Sequence, residues 1–120
     1  MQRMIMTVDD STSMRQMVKA TLVSAGYGVV EAADGQEALD YARENPVDLV
    51  IADVNMPRMD GITLIGELRA LPAYRLIPML MLTTESSQDK KMEGKRAGAT
   101  GWIVKPFNPA QLLATLKRLL

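Results

Sequence analysis

Hydrophobic positions along this chain fall into two alternating textures. Short runs are nearly continuous in apolar character: Met4-Ile-Met-Thr-Val8, Tyr27-Gly-Val-Val-Glu31, Val47-Asp-Leu-Val-Ile-Ala52, Met79-Leu-Met-Leu82 and Gly101-Trp-Ile-Val104. Such runs fit strands covered on both faces of a parallel sheet. Between them, apolar residues recur every three or four positions, as on one stripe of a helix. In the first stretch the stripe is Met14, Met17, Val18, Thr21, Leu22 and Ala25, closed by Gly26 where a helix end favours a left-handed residue.

The second helix is expected to open at Asp34-Gly-Gln-Glu37, a capping-box spacing, and to stop at Asn45-Pro46. A third begins after Asp60-Gly61 and runs through Ile62, Ile65 and Leu68 to Leu71, before Pro72. The last follows Pro109 and turns Leu112, Leu113, Leu116, Leu119 and Leu120 inward. The stretch Ser87 to Ala97 is the weakest helix, with little apolar material beyond Met92 and Ala97. A glycine, Gly94, lies in its middle, worth about 1 kcal/mol against Ala. It reads as a shallowly docked helix, either simply peripheral or able to move or bind a partner. Five β units alternating with five α units imply right-handed crossovers and an α/β fold: an open sheet with helices on both faces. A closed eight-stranded barrel needs about 250 residues, about twice the 120 present.

Composition narrows the chemistry. A chain 48% hydrophobic and 23% charged is an ordinary globular domain, expected as one unit over residues 1–120 without an output domain. There is no cysteine, so disulfides and thiolate chemistry are excluded, and no histidine, so a Ser-His-Asp triad or a His-based zinc site is excluded too. Fourteen basic residues balance fourteen acidic ones, and nothing at whole-chain level points to nucleic acid or membrane. The opening MQRMIMTVDD places two carboxylates where a signal peptide needs a longer apolar run, so the chain is expected to be cytoplasmic.

In open α/β sheets, sites form beyond the carboxyl ends of the strands. The residues there are Asp9-Asp10 after the first run, Asp53 after the third, Thr83-Thr84 after the fourth and Lys105 after the fifth. Three carboxylates brought together repel, and one lysine does not neutralise them. A hard divalent cation with oxygen ligands does, and the ligand set suits Mg²⁺. Lys105 would then pair with a phosphoryl group, Thr83 would donate a hydroxyl to it, and one carboxylate would act as nucleophile. Each residue taken singly has a plainer use. Asp10 or Ser11 would cap the first helix, Asp60 the third, and Lys105 would be a solvated loop lysine. The convergence of four strand ends favours the site.

The motifs Asp9-Asp10-Ser11, Asp53-Val-Asn-Met-Pro57 with Met59-Asp-Gly61, Leu82-Thr83-Thr84 and Lys105-Pro-Phe107 strongly resemble response-regulator receiver domains, and the resemblance spans the whole chain. It is greatest to the single-domain, CheY-type chemotaxis regulators. It implies a flavodoxin-like (βα)5 three-layer sandwich of strand order 2-1-3-4-5. It further implies a phosphorylation switch rather than a conventional enzyme, with Asp53 receiving a phosphoryl group from a CheA-like sensor histidine kinase. Asp10, Asp53 and the backbone carbonyl of Asn55 would bind Mg²⁺ (or Mn²⁺), with Asp9 helping through water. Asn55 and Glu85 occupy the positions that tune autodephosphorylation, and Thr84 is larger than the Ala or Gly often found beside the acceptor hydroxyl. Pro106 matches a cis proline. Trp102 stands where many members carry a Tyr or Phe that rotates with phosphorylation, while its plainer use is a mostly buried indole with a paired N–H.

The resemblance also implies a monomer whose fourth-helix, fifth-strand and fifth-helix face binds a downstream target such as a flagellar motor switch, with a phosphatase as a further partner. Lys90, Lys91, Lys95 and Arg96 would suit an acidic segment of that target. Rival readings are a regulator of a phosphorelay outside chemotaxis, a non-phosphorylated interaction module, an FMN-binding flavodoxin relative and an aspartate-based phosphatase. Against FMN, Asp9-Asp10 would repel its phosphate.

Overall fold

The structure is a computed structural model and describes residues 2–120. Five strands, β1 (Met4–Val8), β2 (Gly28–Ala32), β3 (Leu49–Ala52), β4 (Met79–Thr83) and β5 (Gly101–Val104), form one sheet in the order β2-β1-β3-β4-β5. Every neighbouring pair is parallel. Five helices connect them: α1 (Thr12–Ser24), α2 (Gly35–Glu44), α3 (Gly61–Arg69), α4 (Gln88–Ala97) and α5 (Pro109–Leu119).

The period of two along each central strand sorts its side chains into two cores. Ile5 of β1, Leu49 and Ile51 of β3, and Leu80 and Leu82 of β4 pack with Val18 and Leu22 of α1 and Leu112 and Leu116 of α5. Met6 and Val8, Val50 and Ala52, and Met79 and Met81 point the other way, against Ala38 and Leu39 of α2 and Leu64, Ile65 and Leu68 of α3. Both faces of β1, β3 and β4 are therefore covered, which is why their sequence is almost unbroken in apolar character. The edge strands β2 and β5 are only half-buried over most of their length.

Each helix opens on a side-chain cap that accepts a first-turn N–H: Ser11 from Met14, Asp34 from Glu37, Asp60 from Thr63, Ser87 from Lys90 and Asn108 from Gln111. Ser11 rather than Asp10 thus caps α1, which leaves the Asp10 carboxylate uncommitted to the helix. Asp60 is a cap, as its spacing allows.

Three local features depart from the sequence pattern. β3 begins at Leu49, not Val47, because Asp48 turns its carboxylate onto the Met4 N–H at 2.7 Å. The third helix ends at Arg69, short of Leu71, and gives way to a 3-10 turn, Pro72–Tyr74. The Arg69 guanidinium holds that turn by donating to the carbonyls of Tyr74 and Ile77, and ties it to Gly98 after α4. Gly94, expected only to weaken α4, is the helix's buried residue and lies under the Trp102 ring. A β-carbon there would stand 2.7 Å from the indole, so a flat contact replaces the lost propensity. Among the described residues, no helix is long and apolar enough to cross a membrane.

Candidate phosphoryl-acceptor and metal site

The site lies where β1, β3, β4 and β5 end. The main-chain ladder sets the spacing: Asp53 N–H donates to the Val8 carbonyl at 3.0 Å, and Lys105 N–H to the Thr83 carbonyl at 2.8 Å. These bonds continue the sheet past its last paired residues and fix the side chains that follow. One carboxylate oxygen from each of Asp9, Asp10 and Asp53 falls within 4.8 Å of the others. Asp9 and Asp53 are buried and Asp10 is exposed, so the cluster opens to solvent on the Asp10 side.

Lys105 crosses from β5 and donates to Asp9 Oδ2 at 2.8 Å and to Asp53 Oδ2 at 2.9 Å. Burial of the amine works against its charge. The hydrogen bonds to Asp9 and Asp53, with their charges, outweigh that and hold the ammonium above the ordinary lysine pKa. The other oxygen of Asp53 accepts the Val54 N–H at 2.7 Å, which fixes the rotation of the carboxylate. Asp9 Oδ1 accepts the Ser11 N–H at 2.9 Å, and Arg15 Nη1 donates to the Asp9 main-chain carbonyl. Arg15 also meets Glu31 of β2 at 3.3 Å. Arg15 therefore braces the turn that bears Asp9 and Asp10, a role that no spacing in the sequence signals.

Thr83 is fully buried at the end of β4. Its Oγ1 accepts the Glu85 N–H at 3.2 Å, which leaves its own proton free to donate. The Glu85 carbonyl in turn accepts the Trp102 indole N–H at 2.9 Å. A single residue, Glu85, thus links the hydroxyl beside the site to the indole under α4 through its own N–H and C=O. Trp102 is half-buried with its N–H paired, and Thr84 is exposed. Asn55 is exposed in the loop that follows β3, two residues beyond Asp53. The Lys105–Pro106 bond is cis.

The β3–α3 loop is tied to the start of α2 by contacts that sequence reading misses. Arg58 reaches Asp34 with two donors, Nε at 2.9 Å and Nη2 at 3.1 Å, and the guanidinium holds the Asp34 carboxyl below the usual range. The positive backbone φ of Arg58, 67°, is the only such signal, and it is visible only in three dimensions.

On the neighbouring face, a groove of about 200 Å³ is lined by Lys91, Lys95, Ala99, Thr100, Gly101 and Trp102. It places two cations beside the indole.

The profile of the response regulator receiver domain matches residues 5–117. A chemotaxis protein CheY homolog from Campylobacter jejuni is 39% identical over 118 residues, covering 97% of this chain and 91% of its relative. The solved structure of Vibrio cholerae chemotaxis protein CheY4 is 53% identical and superposes with a TM-score of 0.95 over 100% of both chains. The receiver domain of the sensor histidine kinase PA1611 from Pseudomonas aeruginosa is 30% identical, with a TM-score of 0.92 over 99% of this chain and 98% of the other. That structure has a magnesium ion coordinated in its active-site cleft. Sheet order, strand-end chemistry and these likenesses agree, and the chain belongs to the response regulator receiver domain family, the switch domain of two-component signalling.

Proposed function

We propose that Asp53 is the phosphoacceptor of a CheY-type chemotaxis switch. The observation that carries this reading is the single ammonium of Lys105 bridging Asp9 and Asp53 beside Asp10, at the ends of three strands distant in sequence. In the transfer, an Asp53 carboxylate oxygen forms a bond to phosphorus as the nitrogen–phosphorus bond of the kinase's phosphohistidine breaks. The imidazole leaves with the electron pair and takes up a proton. Val54 N–H orients the nucleophile, Lys105 pairs with the incoming phosphoryl oxygens, and the free proton of Thr83 donates to them.

The donor set fits a hard cation: three carboxylates close enough to share one, one side open to water, and a lysine too few to neutralise them. Asp10, Asp53 and the Asn55 main-chain carbonyl would hold Mg²⁺ or Mn²⁺, with Asp9 assisting through water. The ion supplies charge neutralisation for the phosphoryl oxygens. The chain's own part is to aim these oxygens and to keep Lys105 charged.

Output runs through the bonded series Thr83, Glu85, Trp102. When Thr83 turns to the phosphoryl group, its bond to the Glu85 N–H shifts, and so does the peptide that holds the indole. Trp102 lines the groove with Lys91 and Lys95, so the face of α4, β5 and α5 changes where an acidic, partly apolar segment of a downstream target would bind. A histidine kinase upstream and a target such as the flagellar motor switch are the partners this reading names, with a phosphatase as a third. Asn55 and Glu85, flanking the site, tune hydrolysis.

The test uses Trp102 as its own probe. Mg²⁺ with acetyl phosphate is expected to change its fluorescence reversibly, and Asp53→Asn to abolish the change. Wild-type protein that takes up no phosphoryl group under these conditions would overturn the reading.

A further inference from the structure

Arg58 is a non-glycine residue held at φ 67°, in the left-handed region that L side chains avoid. Such a conformation persists where surrounding contacts over-determine it. Here they are visible. The guanidinium grips Asp34 through two hydrogen bonds, and the next residue, Met59, accepts the Gly35 N–H at 3.2 Å. A β-carbon at position 35 would collide with the Met59 carbonyl and side chain, so glycine is what lets the two segments meet. Asp34 is itself fixed, since its Oδ1 also caps α2.

The loop so gripped runs from Asp53 to Asp60. Its ends are secured by the Val54 N–H on Asp53 and by the Gly61 N–H on the Val54 carbonyl at 2.8 Å. Between these ends, Met56 packs against the core and the Pro57 carbonyl accepts the Met59 N–H at 2.7 Å, and the Arg58–Met59 tether is what joins the segment to α2. The geometry points to Arg58 and Asp34 as positioning residues that aim the Asn55 main-chain carbonyl at the metal site. Neither touches the ion. This rests on the assignment of that carbonyl as a ligand, and it adds a brace outside the strand-end motifs.

Charge and tether make opposite predictions for one substitution. Arg58→Gly removes a cation from the neighbourhood of an acidic site, which by Coulomb's law alone would tighten Mg²⁺ binding. It also removes the tether, while glycine accepts the left-handed φ without strain. The tether therefore expects Arg58→Gly to weaken Mg²⁺ about two- to fivefold in calorimetric titration, with a melting temperature equal to wild type or above it. Asp34→Asn keeps a good helix cap and should show the same weakening. The double variant should be no worse than either single, because both break one link. Arg58→Lys, which keeps a donor at that position, should recover part of the affinity. Wild-type protein that binds Mg²⁺ alongside an Arg58→Gly variant of equal or tighter affinity overturns the brace and leaves the site standing. Wild-type protein that binds no Mg²⁺ overturns the metal site, and the brace with it.

Discussion

Lys105 carries two duties that pull against each other. It pairs with both Asp9 and Asp53, and it must pair with phosphoryl oxygens when they arrive. Replacing it with glutamine separates the two. Lys105→Gln removes a cation that competes with a divalent ion for the same oxygens, so Mg²⁺ should bind severalfold tighter. Phosphoryl uptake from acetyl phosphate should nonetheless slow by on the order of 10²-fold, the usual loss when one preorganised charge donor is removed. Calorimetry for the first and stopped-flow fluorescence for the second check the pair, and looser metal binding together with unchanged uptake would count against both roles. The same group sets an alkaline limit. Its pKa is raised by the fold, so its stabilisation is complete below the unfolded lysine value and is lost as pH rises through the higher folded one. Wild type should therefore lose stability above about pH 10 more steeply than Lys105→Gln, as followed by urea melts across that range.

At the scale of the element, α4 shows what a linear pattern reads well and what it does not. Its weak apolar content and its cationic flank are both plain in the sequence, because each is a local property. The meaning of Gly94 is not local. It depends on Trp102, one strand away, whose ring lies where a β-carbon would go. Gly94→Ala should therefore fail to stabilise the protein despite gaining about 1 kcal/mol of helix propensity, and should displace the indole from the Glu85 carbonyl. In a Trp102→Ala background the obstacle is gone, and the same substitution should stabilise by about 1 kcal/mol. Chemical denaturation of the four proteins closes the cycle, and equal effects in both backgrounds would show that ring and glycine do not interact. The same division explains the rest of the site. Asp9, Asp10, Asp53, Thr83 and Lys105 are legible because strand ends deliver them, and strand ends can be read from apolar runs. Arg15, Arg58 and Arg69 are not, because each acts on main-chain carbonyls or on a carboxylate brought near only by folding.

For the whole molecule, zero net charge conceals a separation. Carboxylates gather at the ends of β1 and β3, while lysines line the α4 face beside β5. The acidic cluster draws on positions 9, 10 and 53, and Lys105 closes it from β5, so the unfolded chain has no equivalent site. A ligand that binds only the folded state stabilises it by mass action, about 2.7 kcal/mol at a hundredfold excess over its dissociation constant. In a domain of this size that raises the melting temperature by on the order of 10 °C. Mg²⁺ should therefore shift the melting curve upward and keep shifting it as its concentration rises, because occupancy enters as a logarithm. Sodium chloride at matched ionic strength should not reproduce the shift, since screening acts on exposed charges and not on a coordinated ion. Asp53→Asn removes a charged ligand and one of the three mutually repelling carboxylates at once. Without Mg²⁺ its melting temperature should equal or exceed that of wild type, and with Mg²⁺ its rise should be the smaller. A Mg²⁺-dependent rise of the same size in both proteins would place the ion elsewhere on the surface, and the strand-end cluster would then be a product of topology alone.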